Sequence, residues 1–156
     1  MNYGRMRQQH NDSGADVTIA TLPITPESVS AFGVVDVAQN GEVVGFIEKP
    51  KTTELRSPFN PGMVDASMGI YLFNTDMLLP ELIKDAEDPN SKHDFGHNIL
   101  PNILGRYKMM AYNFVDENKQ RALYWRDVGT LDAFYDANMD LCSVSPVFNL
   151  YDKSWP

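Results

Sequence analysis

Phe46-Ile47-Glu48-Lys49-Pro50 sets an acid and a base side by side at the end of an apolar, β-branched run, with a proline directly after them. A lysine neutralises a phosphate well, and a glutamate accepts hydrogen bonds from sugar hydroxyls. Neighbouring residues of a strand face opposite sides of a sheet, so the two serve one ligand only where the strand twists or ends. Pro50 cannot extend a ladder and marks such an end. The competing reading is an exposed ion pair of little energetic weight.

Three further positions have residue types suited to a site. Gly33, in Ala31-Phe32-Gly33-Val34, lacks the Cβ that would keep a ligand from a backbone amide, though a glycine there also serves a simple bend. Ser67, in Ser67-Met68-Gly69, is a hydroxyl in an otherwise apolar strand; once buried it needs a partner, and a glycine two residues on leaves room beside it. A satisfied core serine is the plainer alternative. Asp127, in Trp125-Arg126-Asp127-Val128-Gly129-Thr130, reads as a carboxylate at a strand end before a helix cap. Mg²⁺ favours one or two carboxylates plus substrate phosphates, so Asp127 is a candidate ligand; acceptance from turn amides or pairing with Arg126 competes with that role.

Other polar residues promise less. His93 and His97 have i, i+4 spacing but no zincin glutamate between them, and they read as loop or cap residues. Asp85, Glu87 and Asp88 read as solvated surface near a helix C-terminus. Tyr71, Phe73, Phe134 and Tyr135 read as core aromatics, and Cys142 as a packing residue.

The elements that must carry these groups alternate along the chain. Val17–Ile24 reads as a buried strand. Gly33–Val37 and Glu42–Ile47 form a hairpin about Asn40-Gly41. Residues 51–64, with Pro58, Pro61 and Gly62, form a loop, and Ala66–Phe73 is a strand. Asn74 or Thr75 caps a helix to about Ala86, with Leu78, Leu79, Leu82 and Ile83 on one face. Asp94 caps Phe95–Leu104, which Pro101 should kink or split. Lys108–Val115 and Ala122–Trp125 are strands, and Thr130 opens a helix Leu131–Leu141 that turns Leu131, Phe134, Tyr135 and Met139 to a core. Such alternation predicts an α/β layered fold with a mixed sheet. Tyr3–Asn11 reads as a helix already under way, and residues 145–156, with two prolines and no period, as a linker; frayed ends are the alternative.

Composition bounds the rest. The 156 residues carry a formal net charge of −8, which disfavours nucleic acid as a partner. Hydrophobic residues at 43% and charged residues at 22% exclude wholesale disorder. No apolar run approaches the roughly 20 residues needed to cross a bilayer. One cysteine fits a reducing cytoplasm.

The order of these segments is itself informative. FGV, FIEKP, ASMGIYLF, DPNSKHDFG and YWRDVGTLDAFYDANMDL, in that sequence, resemble the ADP-glucose pyrophosphorylase (glucose-1-phosphate adenylyltransferase) family over nearly the whole chain. The resemblance implies an incomplete Rossmann-like nucleotidyltransferase domain, with a mixed β-sheet flanked by helices, over residues 1–144. Residues 145–156 would lead toward a β-helix domain. The implied reaction joins ATP and glucose 1-phosphate into ADP-glucose and pyrophosphate with Mg²⁺. By matching positions, Lys49 would hold the sugar phosphate, Glu48 the glucose hydroxyls, Gly33 would offer its backbone, Ser67 would line the sugar pocket and Asp127 would bind metal. The 156 residues contain no Gly-rich nucleotide loop, and His97-Asn98 stands where the family often has Lys-Asp. The expectation is therefore a sugar-phosphate-binding half that is inactive alone, binds ATP only with a further N-terminal half, and self-associates through exposed apolar surface. A non-catalytic sugar-phosphate module, or a piece of another sugar-nucleotide pyrophosphorylase, is the alternative.

Overall fold

The computed structural model describes residues 3–116, 121–122, 124–147 and 150. The chain divides into two compact units, Met1–Val115 and Asp116–Pro156. The first holds a five-stranded mixed sheet: β1 (Val17–Ile24), β2 (Gly33–Val37), β3 (Val43–Glu48), β4 (Val64–Phe73) and β5 (Met109–Asn113), in the order β3-β2-β4-β1-β5. β1 runs parallel to β5 and antiparallel to β4, and β2 is antiparallel to both β3 and β4. Such a sheet, flanked by helices, is the α/β architecture read from the sequence.

Asn40-Gly41 turns the β2–β3 hairpin as expected: Gly41 has φ +84°, and the Asn40 Oδ1 accepts the Glu42 N–H at 3.1 Å. The tip then reaches the free edge of β5, where Ala111 N–H donates to Gly41 C=O at 2.9 Å and Glu42 bridges Met110. Because β3 and β5 are the outermost strands, this contact draws the two edges together around one core. That core contains Val17, Ile19, Val35, Val37, Val43, Phe46 and Met109, covered by Ile99, Leu100 and Ile103. Val34, Val64 and Ala66 pack a smaller cluster with Ile24 and Val29.

Helix α1 (Tyr3–Ser13) runs two residues past the expected Asn11 and stops before Gly14. Gly14 takes φ +60°, with Gly14 N–H bonded to Asn11 C=O and Ala15 N–H to His10 C=O. His10, buried at 4% exposure, ties this helix down. Its Nε2 meets Asn74 Oδ1 at 3.1 Å and its Nδ1 meets Thr18 Oγ1 at 2.8 Å. Asn74 Nδ2 donates to Ala15 C=O, so Asn74 Oδ1 must accept, and His10 carries its proton on Nε2.

Helix α2 (Thr75–Ala86) has the expected limits, but its inner face differs. Met77 and Glu81 are buried, while Leu79 and Ile83 are 53% and 60% exposed. Glu81 is accommodated because Arg106 and the Tyr107 hydroxyl both donate to it. Phe95–Leu104 splits as Pro101 requires, into a π-turn at Phe95–Ile99 and a short helix α3 (Leu100–Ile103). Asp85 is no solvated acid: Ser91 donates to its Oδ1 at 2.6 Å, and His93 Nδ1 lies 3.0 Å from Oδ2. Those bonds hold the Asp85 carboxyl below its usual range, the Ser91 hydroxyl contributing most.

Strand β7 covers only Arg121–Ala122, paired with β6 (Val115–Asp116). The strand expected through Trp125 is absent over Tyr124–Trp125, so Asp127 lies in a loop and not at a strand end. Helix α4 (Leu131–Leu141) begins at Thr130, whose hydroxyl accepts the Ala133 N–H at 3.1 Å. None of its residues is buried; Leu131, Phe134, Tyr135 and Met139 are exposed, against the core role expected of them. Periodicity fixed which residues share a face, but not what that face meets. Cys142, expected to pack, is likewise exposed. Residues 148–149 and 151–156 of the expected linker lie outside the described residues.

Candidate functional site

The end of β3 resolves how Glu48 and Lys49 come to share a side. Glu48 is the last strand residue, and Lys49 adopts φ +46°, a left-handed conformation uncommon outside glycine, asparagine and aspartate. Lys49 N–H still donates to Phe32 C=O at 3.1 Å, so the reversal happens at that residue. The alternation of faces is broken, and Lys49 Nζ lies 3.9 Å from Glu48 Oε1. The Lys49 side chain is 61% exposed and that of Glu48 19%, so the lysine projects while the glutamate is seated.

Register places the glutamate. Gly33 is the cross-strand partner of Glu48, and Ser67 lies one position beyond the Val34–Ala66 pair that joins β2 to β4. Glu48, Gly33 and Ser67 therefore form one row across three strands, and Thr21 of β1 continues it opposite Ser67. The missing side chain of Gly33 is a notch in this row. An added Cβ there would sit 2.8 Å from Glu48 Oε2 and 2.6 Å from Phe46 Cζ.

Ser67 is buried and satisfied, as the plainer reading had it: its hydroxyl accepts the Gly69 N–H at 3.2 Å and pairs with Tyr71 Oη at 3.3 Å. Gly69 is needed for its backbone and not for space. It has φ +67°, nothing lies within 4 Å of a Cβ built on it, and the register of β4 against β1 shifts there. The bulge carries Tyr71 round to meet Ser67.

Tyr71, Asp94, Phe95 and Gly96 join this neighbourhood, and sequence reasoning gave none of them a site role. Tyr71 stacks on Phe95 with centroids 5.6 Å apart, and Phe73 lies 5.6 Å from the same ring. Burial pushes the Tyr71 phenol up, the Glu48 and Asp94 carboxylates add to the rise, and the Ser67 hydroxyl opposes it. Asp94 Oδ1 accepts both the His97 N–H at 2.8 Å and a contact from His97 Nδ1 at 3.0 Å. The backbone bond chiefly holds the Asp94 carboxyl below its usual range. The cap at Asp94 was legible in sequence; its approach to Glu48 depends on how the π-turn folds onto β3. Two carboxylates, a phenol, a buried hydroxyl and a projecting ammonium at one strand end suit a polyhydroxylated, anionic ligand.

Asp127 belongs to the second unit. Arg126 is not its partner, because Arg126 Nε donates to Asp140 at 2.6 Å and the Tyr124 hydroxyl donates there at 3.0 Å. Asp127 is exposed, and Gly129 keeps clear of it: an added Cβ would fall 3.1 Å from Oδ2. Its oxygens suit a hard divalent cation as one ligand of a shared set. No group of three or more His, Cys, Asp or Glu gathers as a metal site among the described residues. Nor is any helix among them long and apolar enough to cross a membrane.

Polar groups collected at strand ends lie where the open sheets of α/β folds bind ligands. The nucleotidyl transferase family model matches residues 1–144, and the chain belongs to that family. It is 69% identical over its whole length to a glucose-1-phosphate adenylyltransferase of Koribacter versatilis (strain Ellin345). It is 49% identical to one of Teredinibacter turnerae and 44% identical to one of Anaeromyxobacter sp. (strain Fw109-5). The chain spans 37%, 37% and 39% of the lengths of these relatives.

Proposed function

We propose that this chain forms the glucose 1-phosphate-binding part of a glucose-1-phosphate adenylyltransferase, which joins ATP and glucose 1-phosphate into ADP-glucose and pyrophosphate. The observation that carries the reading is the Glu48–Gly33–Ser67 row with Lys49 turned onto its side by a left-handed backbone. Lys49 contacts the sugar phosphate, whose oxygen attacks the α-phosphorus of ATP as pyrophosphate leaves. Glu48 accepts from glucose hydroxyls, Ser67 and Tyr71 line the pocket, and Gly33 leaves the notch that Glu48 occupies. Catalysis of such a transfer rests on position and charge, so these groups need only bind and orient. Asp127 would be one ligand of Mg²⁺, which supplies charge neutralisation among the phosphates when bound. The nucleotide cradle lies on other polypeptide of the enzyme, so the 156 residues alone are inactive in this reading. Exposed Val44 and Ile47 on edge strand β3 support the expected self-association.

Calorimetric titration with glucose 1-phosphate tests the assignment. A charge-assisted hydrogen bond contributes about 1.5–3 kcal/mol, so Lys49→Ala should weaken binding tenfold or more. Binding of unphosphorylated glucose should be unaffected. Equal affinity of Lys49→Ala and wild type for glucose 1-phosphate would remove the role given to the lysine.

A further inference from the structure

The carboxylate of Glu48 is lodged between two glycines from distant parts of the chain. Gly33 opens β2, and Gly96 lies buried in the Phe95–Ile99 π-turn. A Cβ on Gly96 would sit 2.5 Å from Glu48 Oε2 and 3.0 Å from its Cδ, and one on Gly33 would sit 2.8 Å from the same oxygen. Neither glycine has positive φ, so the backbone at both positions tolerates alanine and the requirement is space alone. π-turns are rare and concentrate at functional sites, and this one delivers Gly96 to the acid.

We propose that Gly96 is a positioning residue: by having no side chain it admits the Glu48 carboxylate to the sugar pocket and fixes the direction from which that carboxylate meets the hydroxyls. The proposal rests on the sugar-phosphate reading above and adds a residue that acts through Glu48 without touching the ligand.

The two glycines differ in what an added methyl would disturb. At Gly33 it also meets Phe46, a core ring, so alanine there strains the core. At Gly96 the nearest atoms are the flexible end of Glu48, and Asp94 Oδ1 at 3.4 Å. Alanine at Gly96 therefore evicts the carboxylate while leaving the fold in place.

The test is a double-mutant cycle on the full 156-residue chain, with Gly96→Ala made in wild-type and Glu48→Ala backgrounds and glucose 1-phosphate as the probe. Gly96→Ala should weaken binding at least tenfold in wild type and less than twofold further in Glu48→Ala. Glu48→Asp, one methylene shorter, should recover part of the affinity lost in Gly96→Ala. Equal losses in both backgrounds, or no loss in wild type, overturn the proposal. Should wild type itself not bind glucose 1-phosphate, the functional reading fails, and denaturant unfolding of the same four chains still judges the seat. A lowered midpoint for Gly96→Ala only when Glu48 is present supports it, and additive effects contradict it.

Discussion

At the scale of single residues, the site depends on a lysine in a backbone conformation it does not favour. A left-handed φ costs a side-chain-bearing residue about 1 kcal/mol, and Lys49 carries that cost at +46°. Lys49→Gly relieves that strain but adds unfolded-chain entropy, whereas Lys49→Ala keeps the strain. In denaturant unfolding Lys49→Gly should therefore be no less stable than Lys49→Ala, and both should lose the proposed phosphate contact. A Lys49→Gly variant less stable than Lys49→Ala by about 1 kcal/mol would show the conformation to be unstrained. The sequence made the strand end legible through Pro50, but nothing in it announced a reversal at a lysine. Gly33 was legible as a place where a side chain is unwelcome; what occupies the space is Glu48 and Phe46, since only the register of β2 against β3 decides that. Tyr71 read as a core aromatic and does pack on the core, yet its hydroxyl reaches Ser67 because of a bulge between them.

Among elements, limits were more legible than faces. β1, α2 and α4 fall where their punctuation puts them, because caps and breakers act within a few residues. Faces depend on partners: α2 buries Glu81 because Arg106, 25 residues away, arrives to pair with it. Strand β4 is central to the sheet and contains a feature no pattern revealed. Asp65 is 1% exposed, and neither carboxylate oxygen has a hydrogen-bond partner. Burial pushes its carboxyl up, and the nearby Ser57 hydroxyl offsets part of the rise without reaching hydrogen-bond geometry. With the folded-state value raised, the native chain holds a proton that the unfolded chain releases above about 3.8, so stability falls as pH climbs through that window. Asp65→Asn should then stabilise the fold at pH 7 by about 1 kcal/mol, with the gain shrinking toward pH 4. Denaturant unfolding at the two pH values checks this, and an equal gain at both would contradict it.

For the molecule as a whole, a net charge of −8 would oppose the proposed anionic sugar phosphate, so affinity would have to come from local cations set against that background. In the proposed reading Lys49, in the first unit, would be one such cation, and a metal held by Asp127, in the second, would be another. In the first unit, the strand-end cluster of Glu48, Lys49, Gly33 and Ser67 is proposed to hold a sugar phosphate. Amide shift mapping of the isotope-labelled chain during titration with glucose 1-phosphate tests this most directly. Saturable shifts concentrated at Gly33, Glu48, Lys49, Ser67 and Gly96 are the predicted result. Saturable shifts confined to other elements, or none at millimolar ligand, would contradict it.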